Sequence, residues 1–131
     1  MIEINSAGLK AGLKHLGLEV DESVADKFLR YAALLVRWNK TYNLTAISNA
    51  SDVLTHHLLD SAALVPELKR LCPDARTVLD VGSGGGLPAV PVALLCPELK
   101  VLAVDAVGKK TAFINQVAIE LGLPNLRARH T

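Results

Sequence analysis

The chemistry this chain is equipped for concentrates in one short stretch, Leu79-Asp80-Val81-Gly82-Ser83-Gly84-Gly85-Gly86. Glycines placed directly after an apolar run let the backbone turn sharply, and they let a ligand approach the main chain with no Cβ in the way. No Gly-Lys-Ser/Thr follows, so the stretch is not a phosphate-cradling P-loop. The dinucleotide fingerprint fits poorly as well: counted from Gly82, its third glycine falls at Leu87. An anionic pyrophosphate is further disfavoured by an acid two residues before the first glycine, which is where Asp80 stands. A carboxylate there suits a cationic ligand. A second acid, Asp105, follows Gly86 by 19 positions, at the end of the apolar run Lys100-Val101-Leu102-Ala103-Val104-Asp105. An acid at that place accepts hydrogen bonds from ribose hydroxyls. The two carboxylates and the ribbon between them point to a positively charged nucleoside, held in a hollow between residues 82–86 and Asp105. The plainer alternative is ordinary turn glycines and a strand-end acid, and the order of strand, loop, helix, strand and acid argues against it.

The elements that must position these groups are legible on either side. Asp21-Glu22-Ser23 supplies a cap and acidic first-turn residues, and Val24, Phe28, Tyr31, Leu35 and Trp38 then recur at helical spacing. A shorter helix is expected around Leu9 to Leu16, weakened by Gly8, Gly12 and Gly17, and Asn39 to Ser48 reads as a polar linker. Asn49 or Ser51 caps a third helix with Val53, Leu54, His57, Leu58, Ser61, Ala62 and Val65 on one side, interrupted near its end by Pro66. From Thr77 the period changes. Thr77–Val81 and Lys100–Asp105 read as parallel strands, the second too continuously apolar to be half-exposed. Leu87 to Cys96 is a helix with its prolines near the start. Gly108 to Leu121 is another, with Ala112, Phe113, Val117, Ala118 and Leu121 inward and Gly122 and Pro124 ending it. Leu126, Ala128 and His130 begin a third strand. The order predicts an α/β chain, with helices over residues 1–74 and the first half of a doubly wound, Rossmann-like domain over 75–131. Three strands in the usual arrangement leave the first with an unpaired edge, an association liability. The chain is therefore expected to be an N-terminal portion of a larger domain, or to have that edge covered by something else.

S-adenosylmethionine carries both a sulfonium and an ammonium, and the D-x-G-x-G-x-G form of residues 80–86 is the usual mark of methyltransferases that bind it. Three further segments make the resemblance specific: Arg37-Trp38-Asn39-Lys40-Thr41-Tyr42-Asn43-Leu44-Thr45, His57-Leu58-Leu59-Asp60-Ser61, and Val104-Asp105 with Gly108-Lys109-Lys110. With the glycine loop and Leu87-Pro88, these resemble the RsmG (GidB) family over about Lys27 to the end of the chain. That resemblance implies a class I S-adenosylmethionine-dependent fold with an N-terminal helical extension, its sheet truncated after the third strand. It also implies methylation of guanine N7 in 16S ribosomal RNA of the small ribosomal subunit, in the bacterial cytoplasm. Carried over residue by residue, it places Gly82, Gly84, Gly86 and Leu87 around the cofactor, with Asp105 by analogy to the wider methyltransferase class and Asp80 beside them. One departure is Ala89, where the family usually has glycine; it adds only a methyl group, which is expected to crowd the cofactor's amino-acid end. Two other readings stand beside this one: a non-catalytic fragment that associates through its open sheet edge, and a methyltransferase acting on something other than RNA.

Guanine N7 presents a lone pair and no proton, so no acid or base is assigned. His57, with Asp60 and Ser61 one turn on, shares an apolar helix face and reads as a structural histidine, while His56 faces solvent. Arg37, Lys40, Lys109 and Lys110 are the candidate RNA contacts. Trp38 and Tyr42 suit stacking on bases or a packing anchor, the latter favoured for Trp38. Lys109 and Lys110 open a helix, where cations oppose the dipole. Fourteen Lys+Arg against thirteen Asp+Glu leave a net charge of +1, so any nucleic-acid role rests on a local patch. With half the residues hydrophobic and 21% charged, the chain has the composition of one folded domain. Cys72 and Cys96 match no zinc spacing, the four histidines are scattered without paired carboxylates, and a reduced cytoplasmic chain is expected. Met1–Asn5 does not open a signal peptide, and the long charge-free stretch Val81–Pro97 is broken by glycines and prolines, so no membrane span is expected.

Overall fold

A computed structural model describes residues 6–42 and 51–131 of the chain. Four helices come first, α1 (Ser6–His15), α2 (Glu22–Tyr42), α3 (Ser51–Ala62) and α4 (Leu64–Leu71). They are followed by β1 (Thr77–Val81), α5 (Ala89–Leu95), β2 (Lys100–Asp105), α6 (Gly108–Glu120) and β3 (Leu126–His130). The Asn43-Leu44-Thr45 part of the polar segment, the Asn49 cap and the side chains of Tyr42, Ser51, Val53 and Leu54 lie outside the described residues.

The helices form where the periodicity puts them, and their ends are set by local chemistry. Asp21 caps α2, its Oδ1 accepting the Val24 N–H at 2.9 Å. The α2 stripe buries Phe28, Tyr31 and Leu35 completely or nearly so, with Val24 and Trp38 half-buried at its ends. Three expectations change. Helix α2 runs on through Asn39-Lys40-Thr41-Tyr42, residues read as linker, because neither glycine nor proline stops it there and Lys40 suits its C-terminal dipole. Gly17 does not weaken α1 but terminates it: the Leu18 N–H reaches Leu13 O and the Gly17 N–H reaches Lys14 O, both at 2.9 Å, a Schellman cap. Gly12 lets α1 approach α3, since a Cβ there would run into the Leu59 side chain. The break between α3 and α4 falls at Ala63 rather than at Pro66, which sits in the first turn of α4 where its missing N–H has no helical partner to lose.

The three strands are parallel in the order β1-β2-β3. Asp80 pairs with Ala103, and Ala103 with Ala128, so these residues share one face with Val78, Val101 and Leu126. That face carries α5 and α6. The opposite face presents Leu79, Val81, Leu102, Val104, Arg127 and Arg129, and no described element covers it: Leu79 is 59% and Val81 74% exposed. The expectation that β2 is buried on both faces therefore holds on one face only, with Leu102 and Val104 half-buried. The βαβαβ order with right-adjacent parallel strands is that of a Rossmann-like sheet, and β1 is its open edge.

A single apolar core joins the helices to the sheet, running from Leu9, Leu13, Phe28 and Leu58 through Val90 and Val92 to Phe113, Ile114 and Val117. On α6, Phe113, Val117 and Leu121 are buried as expected, and Ile114 with them. Ala112, expected inward, is exposed, because a residue one position from Phe113 is rotated about 100° off the face that Phe113, Ile114 and Val117 define. Helix α2 lies antiparallel along α6: Arg30 Nη2 donates to Glu120 O at 2.9 Å at one end, and the Trp38 and Phe113 rings lie 5.3 Å apart toward the other. No helix among the described residues is long and apolar enough to cross a membrane.

Two asparagines satisfy backbone groups that the ladders leave over. Asn115 on α6 both donates to Ala128 O (3.0 Å) and accepts from Ala128 N (2.9 Å), standing in for a strand partner on the outer edge of β3. Asn125 Nδ2 reaches the carbonyls of Ala93, Cys96 and Leu99 at 3.0–3.2 Å, tying the end of α5 to the start of β3. Replacing Asn125 by alanine leaves these part-buried carbonyls without that donor. Asn125→Ala is expected to lower the free energy of unfolding by about 2 kcal/mol, read as a lower urea midpoint at unchanged slope; an unshifted midpoint would show that the carbonyls find other partners.

Candidate functional site

The glycine ribbon leaves the C-terminal end of β1 and turns onto the end of β2. Gly82 N donates to Val104 O at 2.8 Å, and Ser83, itself buried, directs its N–H toward the same carbonyl. Gly84 N then donates to Asp105 Oδ2 at 3.0 Å, and Gly86 N closes the turn onto Ser83 O at 2.8 Å. Helix α5 begins immediately after, with Val90 N on Gly86 O at 2.7 Å.

The glycines are required for different reasons. Gly86 adopts φ +94°, and a Cβ there would lie 2.7 Å from Val90 Cγ2 and 3.3 Å from the Tyr31 hydroxyl, so protein neighbours, not a ligand, claim its space. Gly82 also has positive φ (+73°), yet nothing stands within 4 Å of where its Cβ would be. The ribbon is thus open at Gly82. Between Gly84 and Asp105 the expected hollow is closed by their hydrogen bond, because ribbon N–H groups with no ladder partner settle on the nearest carboxylate. Leu87 is half-buried at the far end of the turn.

The two acids experience opposite environments. Asp105 Oδ1 accepts the Val107 N–H at 2.9 Å while Oδ2 holds Gly84. The Val107 bond, then the Gly84 bond and the nearby Lys110 ammonium, hold its carboxyl below the usual value against the opposing effect of burial. The Ala106 N–H adds to the lowering, and the carboxylate's four lone pairs still leave room for a further donor. Asp80 sits beneath the ribbon on the helix-covered face. Burial pushes its carboxyl up, the Ala89 N–H draws it back, and the charge on Asp105 adds to the rise. Its Oδ2 is buried with no hydrogen-bond partner among the described residues. A buried, unmatched carboxylate oxygen is costly unless a cation or donor meets it, and this is the feature that fits a positively charged ligand.

The other expected residues divide between α2 and α6. Arg37 and Lys40 are exposed on the last turns of α2. Lys109 is exposed and Lys110 half-buried on the first turn of α6, where the Asp105 charge offsets the unfavourable dipole. The Trp38–Phe113 contact brings these two helix ends together, so Trp38 serves as a packing anchor. His56, exposed, pairs with Asp60 at 3.4 Å, whereas His57 is half-buried. Sequence reading missed Tyr31 as a site residue. It read as core, and it is core, but its hydroxyl donates to Gly85 O at 2.7 Å. It also left out Ser83; the only signal for either was proximity to the ribbon, which for Tyr31 requires the fold.

Because the Asp80 carboxyl is raised on folding, the folded chain holds a proton more tightly than the unfolded one between the unfolded and folded pKa values. Its contribution therefore favours the native state at low pH and is lost as pH rises through the raised value. Asp80→Asn is expected to increase stability at pH 7 relative to wild type, the gain shrinking toward pH 4 in urea denaturation. Asp105→Asn is expected to do the reverse, losing stability that is present above the unfolded value and disappears as pH falls through the lowered one. Parallel stability–pH curves for wild type and both variants would refute the assignment of these environments.

Residues 24–131 match the family described as GidB, rRNA small subunit methyltransferase G. Proteins named ribosomal RNA small subunit methyltransferase G are similar to most of the chain. One from Ralstonia nicotianae is 52% identical over 124 residues, covering 92% of this chain and 56% of its own length. One from Chromobacterium violaceum is 48% identical, covering 95% and 57%, and one from Neisseria meningitidis 47%, covering 91% and 56%. The chain thus spans a little over half the length of these relatives. The glycine ribbon, both acids, the α2 stripe and the α6 lysines all lie inside the matched segment, and the chain belongs to the rRNA small subunit methyltransferase G family.

Proposed function

We propose that this chain carries the methyl-donor half of an S-adenosylmethionine-dependent methyltransferase acting on guanine N7 of 16S ribosomal RNA in the small subunit. The observation that carries the reading is the Asp80 oxygen buried under the glycine ribbon without a partner, in a family whose relatives are named as ribosomal RNA methyltransferases. When bound, S-adenosylmethionine supplies an electrophilic methyl group on a positively charged sulfur. Asp80 answers positive charge at the β1 end. Asp105, oriented by the Gly84 and Val107 N–H groups, offers its remaining lone pairs to ribose hydroxyls. Gly82, with open space where a side chain would be, admits the ligand to the main chain, and Gly84, Gly86 and Leu87 shape the turn beside it. N7 has no proton to lose, so the chain's task is to align nucleophile and methyl group and to exclude water, and effective molarity supplies much of the rate. Arg37 and Lys40 on the last turns of α2, with Lys109 and Lys110 on the first turn of α6, are the cations proposed to meet RNA phosphates.

Calorimetric titration with S-adenosylmethionine tests the donor site directly: saturable heat is expected, and none at millimolar ligand would overturn the reading. Asp105→Ala is expected to weaken binding by about 1–3 kcal/mol, the scale of a lost charge-assisted hydrogen bond. An unchanged dissociation constant would place the ribose elsewhere.

A second reading, association through the open sheet edge, is favoured by the place of β1 at the end of the strand order, with Leu79 and Val81 exposed on the bare face beside that edge. The 131-residue chain is expected to sediment as a dimer or larger species, and a Leu79→Lys, Val81→Lys double variant to shift toward monomer. A wild-type monomer stable over days would refute this.

A further inference from the structure

We propose that Tyr31 is a positioning residue for the donor-binding ribbon, so that the helical region sets the geometry of the loop it covers; this rests on the methyl-donor reading above. Tyr31 lies in the middle of α2, 54 positions before the carbonyl it serves, and its ring is fully buried against Phe113 at 6.4 Å between centroids. Its hydroxyl donates to Gly85 O at 2.7 Å. The carbonyl of Gly85 and the N–H of Gly86 belong to one planar peptide unit, so fixing one fixes the other. That N–H closes the ribbon's turn on Ser83 O at 2.8 Å, and the next carbonyl, Gly86 O, accepts the Val90 N–H that starts α5. The Gly85–Gly86 unit is therefore held at both ends, by a side chain from α2 and by the ribbon itself. Around Gly86 the two φ/ψ angles are free of Cβ restraint, so without the hydroxyl a buried carbonyl loses its donor in the segment most able to rotate. Burial, with the Asp80 charge adding to it, pushes the phenol far up, which keeps it a donor at any physiological pH. The ring alone would fill the core equally well as phenylalanine; the oxygen is what the ribbon uses.

Tyr31→Phe in the 131-residue chain separates these roles, with Leu35→Ala as a control that removes core volume one turn along the same helix. Amide hydrogen exchange followed by NMR reads the ribbon without any ligand. In Tyr31→Phe, exchange at Gly86 is expected to rise about tenfold, the scale of a lost buried hydrogen bond, with Val117 unchanged. Affinity for S-adenosylhomocysteine by calorimetry is expected to fall about tenfold. In Leu35→Ala, the melting temperature falls while Gly86 exchange and affinity stay near wild type. Wild-type Gly86 exchange in Tyr31→Phe, or equal changes in both variants, would overturn the proposal. If wild type itself binds no S-adenosylhomocysteine yet Gly86 exchange still rises in Tyr31→Phe, Tyr31 positions the ribbon and the donor reading is what fails.

Discussion

Where the ribbon 82–86 comes to rest depends on hydrogen bonds from three separate parts of the chain. The end of β2 contributes the Val104 carbonyl and the Asp105 carboxylate, the start of α5 contributes the Val90 N–H, and α2 contributes the Tyr31 hydroxyl. A five-residue segment with four glycines has little conformational preference of its own, and ordering it costs more backbone entropy than any other composition would. Those bonds, supplied by elements that are rigid for other reasons, offset the cost. The β1–β2 pairing puts Val104 and Asp105 level with the exit from β1, and the α2–α6 packing presses Tyr31 down on the turn. Without either, the ribbon would have sequence but no shape.

The two aspartates show how a single residue type is turned to two purposes by position. Asp105, at the tip of β2, meets backbone N–H groups and a nearby lysine, and stays ionised. Asp80, one residue before the end of β1 and on the covered face, is desolvated by burial and relieved by the Ala89 N–H, and its charge is held at a cost. A neutral side chain of the same size would fit the same space without that cost. In the methyl-donor reading proposed above, the anchored acid fixes a neutral polar group and the stressed acid receives a cation.

The sheet is finished on one side only. Its helix-bearing face is closed by the core that joins α1–α4 to α5 and α6, while the reverse carries leucine, valine and arginine side chains into solvent. Relatives of this family are nearly twice as long as the segment they share with this chain. The apolar residues of β1 and β2 on the bare face are patterned for burial, and the described residues do not provide it. Edge protection is likewise partial: Asn115 occupies the outer edge of β3, and nothing equivalent guards β1 among the described residues.

Much of this was legible from residue order. Thr77–Val81, Lys100–Asp105 and the α2 stripe announce themselves by periodicity, and the ribbon by its glycines, because strands, helices and tight turns are selected by short-range sterics and hydrophobic spacing. The limits of local reading appear at Gly17, Asn39 and Ala112, where a cap, a helix extension and a rotation about the helix axis were decided by neighbours a few residues or a whole layer away. They appear most at Tyr31, whose spacing marks it as core and whose hydroxyl acts 54 positions along the chain. The sequence by itself determined the elements, the placement of two acids beside a glycine ribbon, and the family. Only the tertiary structure decided which acid is anchored and which keeps a buried oxygen unmatched, which glycine faces solvent, and which side chain holds the ribbon, because each depends on contacts between segments whose distance in space no local pattern encodes.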